Sequence, residues 1–186
     1  MEKRVVFWRD SRFAAIVMAL LIVSGSLLGA GKSLRGLKNA ADAAFYSGVG
    51  SSGFSIQRDL DERVISATNL ITVARRYLPE SDGALQSFVK ARDDLAGANG
   101  IREKFDANVK LSAAAADLVS RAEREPLDDR DAAYLRSIPV DMQSRNDTIS
   151  RDGYNDFAAQ YNDTLSRFPA NFFAAVLGIG KAELFR

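Results

Sequence analysis

Cysteine and histidine are both absent from the 186 residues of this chain. Without cysteine the protein can form no disulfide, thiolate nucleophile or iron–sulfur ligand, and it can carry no lipid on a thiol. Without histidine it lacks the commonest general base and metal ligand, so zinc sites and Ser-His or Cys-His nucleophiles are excluded. A metal site built only from carboxylate oxygens is still formally possible. We therefore expect a protein that is not an enzyme and that holds no cofactor and no metal ion.

An excess of either charge is missing as well, since 25 lysines and arginines stand against 24 aspartates and glutamates. This balance argues against nucleic-acid binding, which needs a basic face.

Two glycine-rich segments resemble phosphate-binding loops. Gly29–Ser33 resembles the end of a P-loop, but the pattern needs glycine where Ser26 stands. Gly48–Gly53 has the spacing G-x-G-x-x-G, but a helix-like segment precedes it instead of a strand. We interpret it as a flexible linker and expect no nucleotide.

One long uncharged segment is present, Phe13–Ala30. Residues 13–31 would form a helix of about 28 Å, close to the thickness of a bilayer's hydrocarbon core. A basic tail, residues 1–12, precedes it. A secretory signal peptide has a similar basic start, but its apolar core is only about 7–15 residues long. We therefore predict an uncleaved transmembrane helix, with cleavage after a signal peptide as the alternative.

The orientation of this helix is nearly undetermined, because four basic residues precede it and Lys32, Arg35 and Lys38 follow it. The slight surplus favours a cytoplasmic N-terminus and a domain outside the cytoplasm, at the inner membrane of the cell. Gly25 and Gly29 form a G-x-x-x-G pattern inside the span. This pattern lets two helices approach closely and dimerise, although small residues are also common in membrane helices.

The rest of the chain is predicted to be all-α. Residues 32–53 are predicted to form a juxtamembrane helix and the Gly/Ser linker, and residues 54–186 a helical-bundle domain. Apolar residues recur at helical spacing and no stretch alternates as a strand does. The expected helices cover 55–78, 84–95, 101–125 and 129–168, with a break in the last near Pro139 or Gly153. The sequence thus predicts one transmembrane helix followed by an antiparallel bundle of about four helices.

Two apolar stripes are expected to face the core of this bundle, with coiled-coil-like spacing. The first contains Leu60, Val64, Ala67, Ile71, Ala74 and Leu78, and the second contains Phe105, Val109, Ser112, Ala116 and Val119. Arg63 lies beside the first stripe, where we expect a partly solvated or paired structural position rather than a site.

A Tyr-Asn-Asp triplet occurs twice, seven residues apart, at Tyr154–Asp156 and Tyr161–Asp163. Phe168, Pro169 and Asn171 follow, and Phe185 comes near the end. A spacing of seven places both tyrosines on one face of a helix, with each asparagine beside its tyrosine. We expect the rings to pack in the bundle and the polar groups to find partners at its edge. A binding surface made of Tyr154, Asn155, Tyr161 and Asn162 is the alternative.

This pattern resembles the LemA family of bacterial membrane proteins, in which paired Tyr-Asn dipeptides precede a Phe-Pro-x-Asn turn and a final aromatic residue. Leu60, Arg63, Asn69, Leu70 and Tyr77 are similar to the long first-helix motif of that family. The resemblance implies a single N-terminal membrane helix, an antiparallel helical bundle and no established catalytic activity. It supplies no active-site residue.

The leading hypothesis is a membrane-anchored interaction or scaffold protein of the bacterial cell envelope, whose partner is an unknown protein or a second copy of itself. The first alternative is a periplasmic or secreted helical binding domain released by signal-peptide cleavage. The second is an enzyme that uses the carboxylates of Asp59, Asp61 and Glu62. Acids clustered at a helix start more often interact with the helix dipole and favour solubility.

Overall fold

A computed structural model describes residues 11–48 and 54–186, and within these residues every regular element is a helix. The all-α prediction is therefore confirmed. The bounds of the helices are α1 Ser11–Ser47, α2 Ile56–Ala74, α3 Gly83–Gly97, α4 Ile101–Ala122, α5 Asp129–Ser150, α6 Tyr154–Ser166 and α7 Ala170–Leu177.

Helix α1 is a single helix of 37 residues, long enough to extend roughly 55 Å. The predicted membrane segment and the juxtamembrane helix are therefore parts of one element. Most of its large apolar side chains from Ile16 to Leu28 are more than half exposed, and no residue of its most apolar window is buried. In the described part of the chain it is the one helix long and apolar enough to cross a membrane. The predicted linker lies beyond Gly48, and residues 49–53 are outside the described residues.

Polar caps determine where three bundle helices begin. Ser55 Oγ accepts a hydrogen bond from Arg58 N at the start of α2, and Asp82 Oδ1 accepts from Ala84 N and Leu85 N at the start of α3. Asp128 Oδ1 accepts from Asp131 N at 2.7 Å in the first turn of α5. Each cap satisfies backbone N–H groups that have no partner within the helix.

The break predicted in the last long segment falls at Gly153, between α5 and α6. Asp152 Oδ1 accepts from Tyr154 N at 2.8 Å and so starts α6. Pro139 lies within α5, which continues through it. Proline at this position removes one backbone donor without ending the helix.

The chain divides into two compact units, and the division falls inside α1 and inside α6. One unit comprises the described residues up to Ala40 together with Gln160–Lys181. Its buried side chains include Leu34, Leu165 and Ala174. Gly31 comes so close to Leu177 that a Cβ on the glycine would lie 3.0 Å from the leucine Cδ1.

The other unit comprises Ala41–Ala159 and Ala182–Arg186, and it contains the predicted bundle. Helix α2 packs against α5 and α3, and α3 packs against α4. Short connections join α2 to α3 and α3 to α4. Its core includes Ile56, Leu60, Leu70, Leu85, Phe88, Leu111, Leu118 and Leu135, each no more than 2% exposed.

The prediction of which face of α4 is buried is wrong. Leu111 and Leu118 are fully buried, whereas Val109 is 52% exposed and Phe105 only half-buried. The buried face, which also includes Ile101, Ala107, Ala115 and Ala122, packs largely against α3. The predicted stripe lies on the adjacent face of the helix, next to α5, where the packing leaves a groove.

Candidate functional site: the groove between α4 and α5

The predicted α4 stripe forms one wall of an open groove in the bundle unit. We call it the α4–α5 groove and define it by Phe105, Asn108, Val109, Ser112, Asn146 and Ile149. Its volume is about 460 Å³. Asn155 and Phe185 line the same groove. It thus combines apolar walls with amide and hydroxyl groups, a composition typical of binding sites for small organic groups or peptides.

Two asparagines from facing helices meet in this groove. Asn108 Nδ2 donates to Asn146 Oδ1 at 2.9 Å. Asn108 is only 4% exposed, and its Oδ1 atom is buried without a hydrogen-bond partner. A buried acceptor without a donor costs free energy, about 1–3 kcal/mol in typical proteins. The wall of the groove therefore contains one enclosed acceptor atom that no N–H or O–H group of the described residues pairs with.

Arg63 of α2 lies at the inner side of the same helix pair and is 1% exposed. Its Nη1 donates to Met142 O at 2.5 Å and its Nη2 to Ser112 Oγ at 2.6 Å, while its Nε has no partner. Burial lowers the pKa of the guanidinium to about 10. Of the two expected settings, partly solvated or paired, the structure shows the second: Arg63 is fully enclosed and hydrogen-bonded.

Arg63 borders a second, smaller cavity of about 170 Å³. Ala116 of α4 and Pro139 of α5 also line it, and Ser112 lines both this cavity and the α4–α5 groove. Ser112 Oγ donates to Asn108 O at 3.2 Å while it accepts from Arg63. A chain of polar contacts therefore runs from the guanidinium through Ser112 to the backbone carbonyl of Asn108.

The first half of the Tyr-Asn repeat holds the C-terminal segment at one end of the groove. Tyr154 OH donates to Glu183 O at 2.6 Å. Asn155 Nδ2 donates to Phe185 O at 3.0 Å, and Phe185 N donates to Asn155 Oδ1 at 2.9 Å. The Phe185 ring meets the Phe105 ring edge-on at 5.3 Å. Tyr154 and Asn155 thus serve primarily as a clamp on backbone.

The surroundings of Tyr154 raise the pKa of its phenol. The side chain is 0% exposed, and the Phe45 ring packs edge-on against it at 5.3 Å. Burial, with smaller contributions from the charges of Asp42 and Glu183, raises the pKa of Tyr154 to about 12. The phenol therefore stays protonated at neutral pH and acts as a hydrogen-bond donor, not as a base.

The second half of the repeat belongs to the other unit, where its tyrosine also holds a backbone carbonyl. Tyr161 OH donates to Gly180 O at 3.0 Å. Asn162 is half-buried, and its carbonyl oxygen accepts from Ser166 Oγ. Phe168 is 84% exposed, and Pro169 directly precedes α7. Asn171 Oδ1 accepts from Phe172 N at 2.7 Å.

The other sequence candidates do not gather into a site. Asp59 is 5% exposed and pairs with Arg145 at 3.3 Å, whereas exposed Asp61 accepts from Gln57 Nε2 at 2.7 Å. In residues 11–48 and 54–186, no three acidic side chains are placed to hold a metal ion. Gly25 and Gly29 lie on α1, where an added Cβ would meet nothing within 4 Å. Their faces are open.

Sequence reasoning found one wall of the groove but took it for core, and it missed the asparagine pair altogether. The available signal was three polar residues, Asn108, Ser112 and Asn146, at positions where a bundle helix usually carries apolar ones.

The sequence model of the LemA family matches residues 54–186. A comparison with curated proteins finds no match.

Proposed function

The chain belongs to the LemA family, and from this premise we propose that it is a membrane-anchored interaction protein of the bacterial cell envelope that does not catalyse a reaction. The observation that carries the proposal is the α4–α5 groove. An apolar stripe that would ordinarily be core is left uncovered on a bundle, and the bundle is connected to a helix able to span a bilayer.

The anchor rests on α1. Most of its large apolar side chains from Ile16 to Leu28 are exposed, and an apolar surface of this kind is stable in lipid rather than in water. The cleavage alternative would cut near Ala30 and Gly31, in the interior of α1. Gly31 is buried there, beside Leu177. These contacts favour an anchor that is kept. For the side of the membrane, the slight basic surplus before the span supports an extracytoplasmic bundle.

The interaction role rests on uncovered apolar surface beside polar groups. Val109 is 52% exposed within the α4–α5 groove, next to the unpartnered Asn108 Oδ1. A partner that covers this surface gains apolar burial. Gly25 and Gly29 offer a separate route to self-association through α1, because their open faces allow close helix approach.

The non-enzymatic part of the proposal rests on residue chemistry. Histidine and cysteine are absent from the chain. The acidic residues considered as catalysts do not act together, with Asp59 held by Arg145 and Asp61 exposed. Tyr154 and Tyr161 donate to backbone oxygens. These groups support binding and packing rather than proton transfer.

Site-specific photocrosslinking tests the interaction role. A photoreactive phenylalanine replaces Val109 in the groove or Val140, an exposed valine of α5 outside it, in the full chain in native membranes. We expect discrete adducts at position 109 and none at position 140. Repeating the experiment with Gly25→Ile and Gly29→Ile shows whether an adduct between two copies depends on α1. Equal labelling at both valines, or none at either, would remove support for the groove as the interaction surface.

A further inference from the structure

Helix α7 contains no charged residue, whereas every other helix of the described residues contains some. The uncharged stretch extends beyond the helix, because it covers residues 168–180 and is bounded by Arg167 and Lys181. Phe172 and Val176 of α7 are nevertheless more than half exposed. A helix on the surface of a soluble domain usually carries polar and charged residues on its outer side. An uncharged, apolar outer side therefore indicates a contact with something other than water.

The inner and outer sides of α7 are both apolar. Ala174 is buried and Leu177 is half-buried, and these two residues lie on the inner side of the helix. Phe172 and Val176 are one turn apart on the outer side. Asn171 is the one polar residue of the helix, and its Oδ1 accepts from Phe172 N at 2.7 Å. The outer side thus presents apolar surface along most of the helix.

Contacts within one compact unit place α7 beside the end of the apolar span. A Cβ on Gly31, the last residue of the predicted membrane segment, would lie 3.0 Å from Leu177 Cδ1. The chain after α7 is fixed as well, because Tyr161 OH donates to Gly180 O at 3.0 Å. A helix of eight residues is about 12 Å long. Leu177 therefore lies where the hydrocarbon core meets the headgroups, and no part of α7 is far from that boundary.

We propose that α7 is a second membrane contact of this chain, lying in the interface of the bilayer that α1 crosses, with Phe172 and Val176 among the outer ends of the acyl chains. This inference rests on the proposed membrane anchor and adds a lipid-facing surface to it. Interfacial helices bury one apolar side about 5–10 Å into the boundary between headgroups and acyl chains. Lys32 and Lys181, both exposed, are then within reach of the headgroups, whose phosphates attract cations.

The experiment measures the depth of single positions in the full chain. Because the chain has no cysteine, one substitution gives one attachment point for a spin label. The variants are Phe172→Cys and Val176→Cys on α7, Leu21→Cys in the span and Val140→Cys on α5, all at positions that are more than half exposed. The labelled chains are placed in nanodiscs of phosphatidylcholine and phosphatidylglycerol. Electron paramagnetic resonance then compares collisions of the label with oxygen, which concentrates in lipid, and with a water-soluble nickel chelate.

The label at each position reports lipid, water or protein. We expect collisions with oxygen to exceed those with nickel at positions 21, 172 and 176, and the reverse at position 140. Excess nickel collisions at 172 and 176, with excess oxygen collisions at 21, would overturn the inference while the anchor stands. Excess nickel collisions at 21 would reject the anchor itself. Few collisions of either kind at 172 and 176 would mean that protein, such as a second copy of the chain, covers α7, and would overturn the bilayer as the occupant.

A charge on the outer side of α7 tests whether the helix, and not the label, enters the lipid. Val176→Asp in the chain labelled at position 172 places a carboxylate at the boundary, so we expect the collisions at 172 to shift from oxygen towards nickel. Val140→Asp in the same chain is the matched control and should leave them unchanged. Val176→Asp in the chain labelled at position 21 should still show excess oxygen collisions, because α1 remains in the bilayer. An unchanged ratio at position 172 in Val176→Asp would overturn the inference.

Discussion

At the scale of single residues, the buried polar side chains of this bundle are of two kinds. In the first, the polar atoms have hydrogen-bond partners, and in the second, one polar atom has none. Asp131 is of the first kind. It accepts from Arg76 Nη1 at 2.7 and 2.9 Å and from Tyr77 OH at 2.9 Å, which connects the end of α2 to the start of α5. Asn108 Oδ1 and Arg63 Nε are of the second kind.

The acid stability of the bundle tests the role of Asp131. Burial opposes ionisation of this carboxyl, but the hydrogen bonds from Tyr77 and Arg76 outweigh it, so its pKa lies below the ordinary value of 3.8. A carboxyl with a lowered pKa contributes stability above its unfolded pKa and loses it as pH falls through the folded one. We expect Asp131→Asn to lower Tm at pH 7, with the difference from wild type shrinking below about pH 4. Exposed Asp61→Asn is the control. A difference that stays constant down to about pH 2 would contradict the assignment.

At the scale of elements, the positions of the helices could be predicted from the sequence. The faces that the helices bury could be predicted only in part. Gly153 and the polar caps interrupt the helical pattern locally, so the helix ends that they set can be predicted without knowledge of tertiary contacts. Helix α4 carries two adjacent apolar stripes, one with Leu111 and Leu118 and one with Phe105 and Val109. Periodicity cannot tell which stripe a neighbour will cover, because that depends on where α3 packs. The site was missed for this reason.

The clamp between α6 and the C-terminal segment is testable at the same scale. Asn155→Ala removes both hydrogen bonds to the Phe185 backbone, and we expect a loss of about 1–3 kcal/mol in the free energy of unfolding. The amide of Phe185 should also exchange with solvent hydrogen much faster. Gln160→Ala, an exposed position of the same helix, should change neither quantity. Unchanged protection of the Phe185 amide in Asn155→Ala would show that the rings of Phe105 and Phe45 hold the segment without the asparagine.

At the scale of the whole molecule, the N-terminal segment is interpreted either as a permanent membrane anchor or as a cleaved signal peptide. The two interpretations predict mature proteins of different mass. Cleavage near Ala30 and Gly31 would remove about 3 kDa, at roughly 110 Da per residue. It would also cut α1 where Gly31 is buried beside Leu177. Since that cut would remove packing from the unit that holds Gln160–Lys181, we expect the mature protein to keep α1.

Intact-mass spectrometry of the chain purified from membranes decides between them. We expect a species near the full 20.3 kDa, retained in the membrane pellet after an alkaline carbonate wash. Leu21→Arg places a charge in the middle of the apolar stretch, at a cost of about 2.5–3.5 kcal/mol on insertion scales, and should move protein from the pellet to the supernatant. Lys38→Arg, which keeps the charge after the span, serves as the control. A predominant species about 3 kDa lighter would establish a released domain, and the α4–α5 groove would then act in solution rather than at the membrane.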